Sequence, residues 1–101
     1  MIRRAADRDL EYIMQIEEIC FSSRWTKEMF LYELHENEFG HFYVLEENQK
    51  IAGFIDFWIT FECCQLANIA VHPSFQRRGY SRSLMDFMIV SAEQEQCETI
   101  M

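Results

Sequence analysis

The fold of this chain is decided by the stretch NIAVHPSFQRRGYS, residues 68–81. Its first half is an apolar run that stops at Pro73, which predicts a strand that ends there. A short turn with two arginines follows, and Gly79 opens a segment whose apolar spacing predicts a helix. The first N–H groups of a helix have no helical acceptor and commonly bind anions. The stretch therefore predicts a strand, an anion-binding turn and a helix in immediate succession.

The charge pattern around this turn supports the same interpretation. The chain has a formal net charge of −8, yet residues 63–85 contain no Asp or Glu. The same window holds three of the nine Lys and Arg side chains, namely Arg77, Arg78 and Arg82. A positive region on an acidic protein favours a bound anion over general solubility. The alternative is a plain strand-to-helix turn whose arginines are solvated.

Small residues at the predicted helix start fit a bound anion as well. Gly79 permits a positive φ or a close ligand because it has no Cβ, and Ser81 is also small. Residues 76–81 are then expected to point successive amide N–H groups at a di-anion, with help from the helix dipole. Arginine side chains add charge-assisted hydrogen bonds to such a ligand.

Length and composition indicate one domain over residues 1–101. Half of the residues are apolar and nine are Phe, so the chain can bury a core. No apolar run approaches the ~20 residues of a membrane span. The first residues, MIRR, do not begin a signal peptide. We therefore expect a cytoplasmic protein without a membrane partner.

The four cysteines are expected to be free, buried thiols rather than metal ligands. Cys63 and Cys64 are adjacent, while Cys20 and Cys97 stand alone, so the close ligand pairs of a zinc site are absent. The net charge of −8 argues against nucleic acid as the main partner. It fits a cationic partner better, such as a basic peptide or an amine.

The hydrophobic pattern predicts the element order β-α-α-β-β-β-α-β, an α+β fold in which helices pack on a mostly antiparallel sheet. Strands are predicted at residues 2–5, 41–46, 50–61 and 65–72, with another beginning at 97–101, and helices at 7–20, 26–37 and 79–94. Asp7 and Thr26 are the predicted N-caps of the first two helices. Gly53 predicts a bulge or a close backbone approach within its strand.

Apolar spacing also predicts the buried faces of the later helices. In the second helix Met29, Phe30 and Leu34 share one face. In the third helix the predicted buried stripe consists of Leu84, Met85, Met88, Ile89 and Ala92.

Residues 68–84 resemble motif A of the GNAT family of N-acetyltransferases. The family pattern Gln/Arg-x-x-Gly-x-Gly/Ala appears here as QRRGYS, residues 76–81, with Ser81 in place of the usual Gly or Ala. The segments IRRA, FSSRW and GFIDFW, which begin at residues 2, 21 and 53, are similar to the branch that acetylates the N-terminal alanine of a ribosomal protein. The resemblance runs in order along the whole chain. It implies transfer of acetyl from acetyl-CoA to a protein N-terminal α-amine, without a metal.

The resemblance also implies a role for each part of the site. The backbone of Ile69, Ala70 and Val71 is expected to pair with the pantetheine arm of acetyl-CoA. The diphosphate is expected to bind at Gln76, Arg77, Arg78, Gly79, Tyr80, Ser81 and Arg82. The amine substrate is expected near Phe21, Trp25 and Asn68. For Phe21 and Trp25 ordinary hydrophobic closure of the helix pair remains open, and for Asn68 a structural hydrogen bond.

Members of the family continue beyond this point with further strands and a helix. The resemblance implies that this chain lacks those parts and, with them, the general base and acid, so no catalytic residue is predicted. Residues 65–72 would then form an exposed apolar edge, and we expect a homodimer or segment-swapped oligomer to cover it. The alternatives are a catalytically inactive CoA-binding or self-associating fragment, and an acetyltransferase for small-molecule amines.

Overall fold

The computed structural model describes all 101 residues, which form one five-stranded sheet with helices on both faces. The strands are β1 (Ile2–Arg4), β2 (Gly40–Glu47), β3 (Lys50–Thr60), β4 (Cys63–Val71) and β5 (Thr99–Ile100), and the helices are α1 (Leu10–Cys20), α2 (Lys27–His35) and α3 (Tyr80–Gln94). Short 3₁₀ turns lie at Asp7–Asp9 and Pro73–Phe75. Neighbouring strands follow chain order, antiparallel except for the parallel pair β4–β5. The predicted α+β fold and element order are confirmed.

The sheet separates two hydrophobic clusters. Under α1 and α2 lie Leu10, Ile13, Ile16, Phe30, Phe42, Val44, Phe54 and Ala70. Under α3 lie Leu45, Ala52, Ile55, Phe57, Cys64, Val71, Leu84, Met88 and Ala92. Two predicted core residues are wrong, since Met29 is 44% exposed and Ile89 is 37% exposed. Each lies at the border of its apolar stripe, next to a buried neighbour that takes the central position.

The two long strands β2 and β3 are joined by a two-residue turn. Asn48 and Gln49 both have positive φ, 52° and 64°, and the flanking residues Glu47 and Lys50 pair with each other. Two successive left-handed residues give the hairpin turn that matches the natural twist of the strands. The predicted tight connection is therefore confirmed.

Gly53 permits a close approach between β3 and β4. A Cβ placed on Gly53 would lie 2.7 Å from the carbonyl oxygen of Ala70, a distance that side-chain carbons do not adopt. Directly opposite, between Leu45 and Glu46, the β2–β3 register shifts, so Gly53 also adjoins a bulge. Both features that its position predicted are present.

The first two helices begin differently from each other. Thr26 caps α2 as predicted, with its Oγ1 accepting a hydrogen bond from the Met29 N–H at 3.2 Å. The prediction of Asp7 as the cap of the first helix is wrong. The Asp9 carboxylate instead accepts from the Ala6 N–H at 2.8 Å, while Asp7 pairs with His35 at 2.6 Å. No side chain caps α1 itself, and Arg3 holds the Asp9 carboxylate at the preceding 3₁₀ turn through two hydrogen bonds.

The outer edge of β4 is only partly open. β5 pairs in parallel with the start of β4, and the Leu66 N–H donates to the Met101 carbonyl at 2.9 Å. The prediction of an edge that is bare over all of residues 65–72 is therefore wrong for its first residues, because the end of the chain lies against them. We call residues 67–71 the open edge of β4.

All four cysteines are free, as predicted, but only Cys64 is fully buried. The other three are half-buried, since they lie at the margins of the core rather than within it. No helix of the structure combines the length and the apolar character that crossing a bilayer requires.

Candidate functional site

The turn between β4 and α3, residues 76–82, which we call the arginine turn, is formed by unusual backbone angles. Gln76 is extended, Arg77 has φ of 68°, and Gly79 has φ of 77° at the N-cap of α3. Before it, the Nδ1 atom of His72 accepts a hydrogen bond from the Ser74 N–H at 3.0 Å. His72 therefore has a structural role in shaping the turn.

The arginine turn leaves a run of backbone donors without partners. The prediction of a free N–H at Gln76 is wrong, since this group donates to the Pro73 carbonyl at 3.3 Å. The N–H groups of Arg77, Arg78 and Gly79 donate no hydrogen bond within the chain. The N–H groups of residues 80–82 lie in the first turn of α3, where no helical acceptor precedes them. The first helical bond runs from Ser83 N–H to the Gly79 carbonyl at 3.0 Å. Successive free donors at a helix start form a seat for a phosphate group.

The guanidinium groups of the arginines around this seat are not paired with acidic side chains. Arg77, Arg78 and Arg82 are all exposed, and none of them forms a salt bridge. The guanidinium carbon of Arg78 lies 5.2 Å from the centre of the Phe75 ring, a cation–π contact that holds it beside the turn. The seat is therefore electropositive on a protein of net charge −8.

A cleft of about 430 Å³ runs from the arginine turn along the open edge of β4. It is lined by Cys20, Phe21, Ile69, Ala70, Val71, Phe75, Gln76, Arg77, Gly79, Tyr80 and Ser81. Nine of these were singled out from the sequence, whereas Cys20 and Phe75 were missed. Arg78, Arg82, Trp25 and Asn68 lie outside the lining.

The strand β4 carries a bulge where the cleft reaches its middle. Asn68 pairs with Asp56 and Leu66 pairs with Phe57, so Ala67 has no partner on β3. A bulge rotates the local peptide groups and leaves one of them outside the ladder. The bulge was not predicted, although the imperfect alternation of apolar residues in β4 is consistent with it.

The two remaining predicted acceptor residues, Trp25 and Asn68, have structural contacts. Asn68 Nδ2 donates to Glu17 Oε1 at 2.9 Å, and the backbone N–H of Trp25 donates to Glu17 Oε2 at 2.8 Å. The Trp25 ring packs on Phe30 with centroids 5.3 Å apart. The structural contacts that the alternatives for both residues predicted are therefore present. Phe21, 36% exposed, lines the cleft.

Glu17 was not predicted, although its sequence position offered a signal. It lies on the apolar face of α1, one turn before Cys20, and is only 2% exposed. A carboxylate at a core-facing helix position indicates a specific partner. Cys20 beside it donates to the Val71 carbonyl at 3.4 Å, and burial, with the nearby charge of Glu17, raises the pKa of its thiol.

The sequence profile of the Acetyltransferase (GNAT) family matches residues 10–101. The chain belongs to the GNAT family of acetyltransferases. Within this family it is similar to a putative ribosomal protein bS18-alanine N-acetyltransferase of Bacillus subtilis, 32% identical over 83 residues. That match covers 82% of this chain and 55% of the relative.

Solved GNAT structures agree with the observed fold. The crystal structure of the ribosomal-protein-S18-alanine N-acetyltransferase of Escherichia coli superposes with a TM-score of 0.85 at 27% identity, over 94% of this chain and 60% of that one. A Mycobacterium tuberculosis protein in complex with CoA superposes with a TM-score of 0.84 over 99% of this chain and 61% of that one. Its 18% identity supports the shared fold alone. The chain therefore spans less than two thirds of the length of each of these proteins.

Proposed function

We propose that this protein is an acetyl-CoA-dependent N-acetyltransferase that acts in the cytoplasm on the N-terminal α-amine of a protein, of the ribosomal-protein alanine type. The observation that carries the proposal is the continuity of the arginine turn with the cleft along β4. One end of this site offers free N–H groups and arginines, which suit a diphosphate. The other end offers an unpaired strand edge, which suits an amide-bearing arm.

The residues of the site divide the task of holding the cosubstrate. The N–H groups of residues 77–82, with Arg77, Arg78 and Arg82, hold the diphosphate, and Gln76 and Tyr80 wall the cleft beside it. Residues 69–71 pair with the pantetheine arm through their backbone. Bound acetyl-CoA supplies a thioester that a neutral amine attacks, and a backbone N–H of the β4 edge polarises its carbonyl.

The acceptor is proposed from the relatives and from charge. The Bacillus subtilis and Escherichia coli proteins are named for acetylation of an alanine of ribosomal protein bS18. Phe21 lines the cleft beside the open edge and forms the wall against which a peptide N-terminus packs. The net charge of −8 favours a basic acceptor chain. No side chain of residues 1–101 is assigned as the general base.

A second proposal concerns self-association. The open edge of β4 presents unpaired backbone groups, which favours pairing with a second copy of the chain. A homodimer or segment-swapped oligomer that covers this edge blocks the cleft. A chain therefore cannot self-associate through this edge and bind acetyl-CoA at the same time.

The test of the main proposal is calorimetric titration with acetyl-CoA, followed by acetyl transfer to a short basic peptide that begins with Ala. We expect acetyl-CoA to bind and the peptide to gain one acetyl group at its α-amine. A matched peptide with a blocked N-terminus controls for transfer to side chains. Absence of acetyl-CoA binding contradicts the proposal, whereas binding without transfer supports a CoA-binding module instead.

A further inference from the structure

The carboxylate of Glu17 joins three separate segments of the chain. Glu17 lies in α1, its Oε1 accepts from Asn68 Nδ2 in β4 at 2.9 Å, and its Oε2 accepts from the Trp25 N–H in the α1–α2 loop at 2.8 Å. No Lys, Arg or His lies within ion-pair distance of it. We call these three residues the Glu17 clasp.

Such a carboxylate is costly for the fold. It is 2% exposed, and burial of a charged group without a cationic partner is unfavourable unless hydrogen bonds replace its hydration. Its helix position faces the same side as Ile13 and Ile16, both of which are buried in the cluster under α1. An apolar side chain there adds to that cluster without the cost, so the value of Glu17 lies in what its two oxygens connect.

The clasp connects the two walls of the proposed acceptor site. Asn68 adjoins the Ala67 bulge and directly precedes Ile69, which lines the cleft. Trp25 lies in the same α1–α2 loop as Phe21, which also lines the cleft. A single rigid carboxylate that bonds both walls sets the gap between them.

We infer that Glu17 is a positioning residue, which holds the Phe21–Trp25 loop at a fixed distance from the β4 edge so that an acceptor amine meets the thioester in register. The inference rests on the proposed acetyl transfer. The Glu17 side chain is buried and is not part of the cleft lining. It acts through Asn68 and the loop backbone.

The two hydrogen bonds of the clasp can be removed by a single substitution. In Glu17→Met the side chain keeps its length but has no oxygen acceptor, so neither clasp donor is satisfied. Glu17→Gln is the conservative variant. Its amide oxygen accepts from the Trp25 backbone N–H and its NH₂ donates to Asn68 Oδ1 once the Asn68 amide turns over, so both bonds are kept. Glu18→Gln is the matched control, since Glu18 is 70% exposed and its pair with Arg24 contributes little.

The first experiment needs no turnover and uses amide hydrogen exchange of Trp25, followed by NMR. We expect Glu17→Met to lower the protection of this amide about tenfold. Glu17→Gln and Glu18→Gln retain the protection. An unchanged Trp25 amide in Glu17→Met overturns the inference, because the loop is then held by other contacts.

The second experiment separates positioning from a general loss of structure. In Glu17→Met we expect the KM for an Ala-starting peptide to rise about tenfold, while the dissociation constant for acetyl-CoA stays within twofold. Glu17→Gln keeps the KM of the wild type. An equal loss of acceptor and cosubstrate binding overturns the inference, since it indicates a merely structural role. If the wild-type protein transfers no acetyl group, the proposed function fails, and the exchange experiment alone decides whether Glu17 holds the loop.

Discussion

The carboxyl group of Asp56 in β3 faces that of Glu33 in α2. Asp56 is fully buried, and neither of its oxygens receives a hydrogen bond from a donor. Glu33 already accepts from Trp58 Nε1 at 2.7 Å and from Asn37 Nδ2 at 3.0 Å, which stabilises its negative charge. Asp56 can therefore bond to Glu33 only when it is protonated. Burial and then the Glu33 carboxylate raise the pKa of Asp56 to about 10.

This pair predicts that the protein loses stability as the pH rises. The folded state keeps a proton on Asp56 that the unfolded chain releases near its ordinary pKa of ~3.9. The free energy of unfolding therefore falls from about pH 4 towards pH 10, by at most ~1.4 kcal/mol per pH unit from this group. Urea unfolding at pH 5.5, 7.0 and 8.5 measures the slope.

Asp56→Asn tests the assignment directly. The amide donates to Glu33 without a bound proton, so the variant is expected to gain stability over the wild type progressively as the pH rises. Asp86→Asn, at an exposed position in α3, is the control and is expected to leave the slope unchanged. The same slope in Asp56→Asn and wild type would show that Asp56 is already ionised in the folded protein.

The Asp56–Glu33 pair also shows which features of the structure sequence patterns can predict and which they cannot. The strand, turn and helix around the arginine turn were predictable because Pro73 and Gly79 act locally, on the backbone that carries them. Asp56 and Glu17 were not predictable as buried groups. Each is an ionisable residue whose burial depends on partners far away in the chain, 23 residues for Glu33 and 51 for Asn68.

The β4 bulge and the partial cover of the β4 edge escaped prediction for a similar reason. A bulge at Ala67 is defined only by its register against β3. The bonds from the last residues to β4 depend on how α3 returns the chain to the sheet. The cleft was nevertheless predictable to a large extent, because a contiguous strand and turn, residues 69–81, supply most of its lining.

The arginine turn predicts a specific loss of cosubstrate binding. Arg77→Ala/Arg78→Ala is expected to weaken acetyl-CoA binding at least tenfold, about 1.4 kcal/mol, because exposed charge-assisted contacts to the diphosphate are removed. Pantetheine, which lacks the diphosphate, is expected to bind both proteins equally. Calorimetry with both ligands measures the difference.

Arg8→Ala/Arg24→Ala is the matched control for that variant. It removes the same two charges from exposed positions away from the turn and is expected to weaken acetyl-CoA binding less than twofold. Equal weakening in the two double variants would mean that the protein's overall charge, rather than the turn, attracts the ligand.

An added methyl group is expected to cost more stability at Gly53 than at Gly79. In Gly53→Ala the Cβ meets the Ala70 carbonyl at 2.7 Å, so the backbone of β3 or β4 must shift, and a loss of more than about 2 kcal/mol in unfolding free energy is expected. In Gly79→Ala the Cβ meets nothing within 4 Å, so only the positive φ of 77° costs stability, about 1 kcal/mol. Urea unfolding at one pH compares the two.

For the affinity for acetyl-CoA, in contrast to stability, the substitution at Gly79 is expected to be the more harmful of the two. The open space over Gly79 is where the diphosphate approaches, so Gly79→Ala is expected to weaken binding about tenfold or more even though its fold is nearly intact. Wild-type affinity in Gly79→Ala would place the anion elsewhere on the turn.

The open edge of β4 predicts that self-association and acetyl-CoA binding compete. Pairing of two copies through residues 67–71 uses the same backbone groups that the pantetheine arm needs. Light scattering during size-exclusion chromatography is expected to show a dimer at high protein concentration that dissociates when acetyl-CoA is added. Ala67→Lys, which places a charge at the bulge, is expected to weaken the dimer, whereas Gln65→Lys, beside the part of β4 that β5 covers, is expected to leave it intact. A protein that stays monomeric at all concentrations, or a dimer that ignores acetyl-CoA, would contradict this use of the edge.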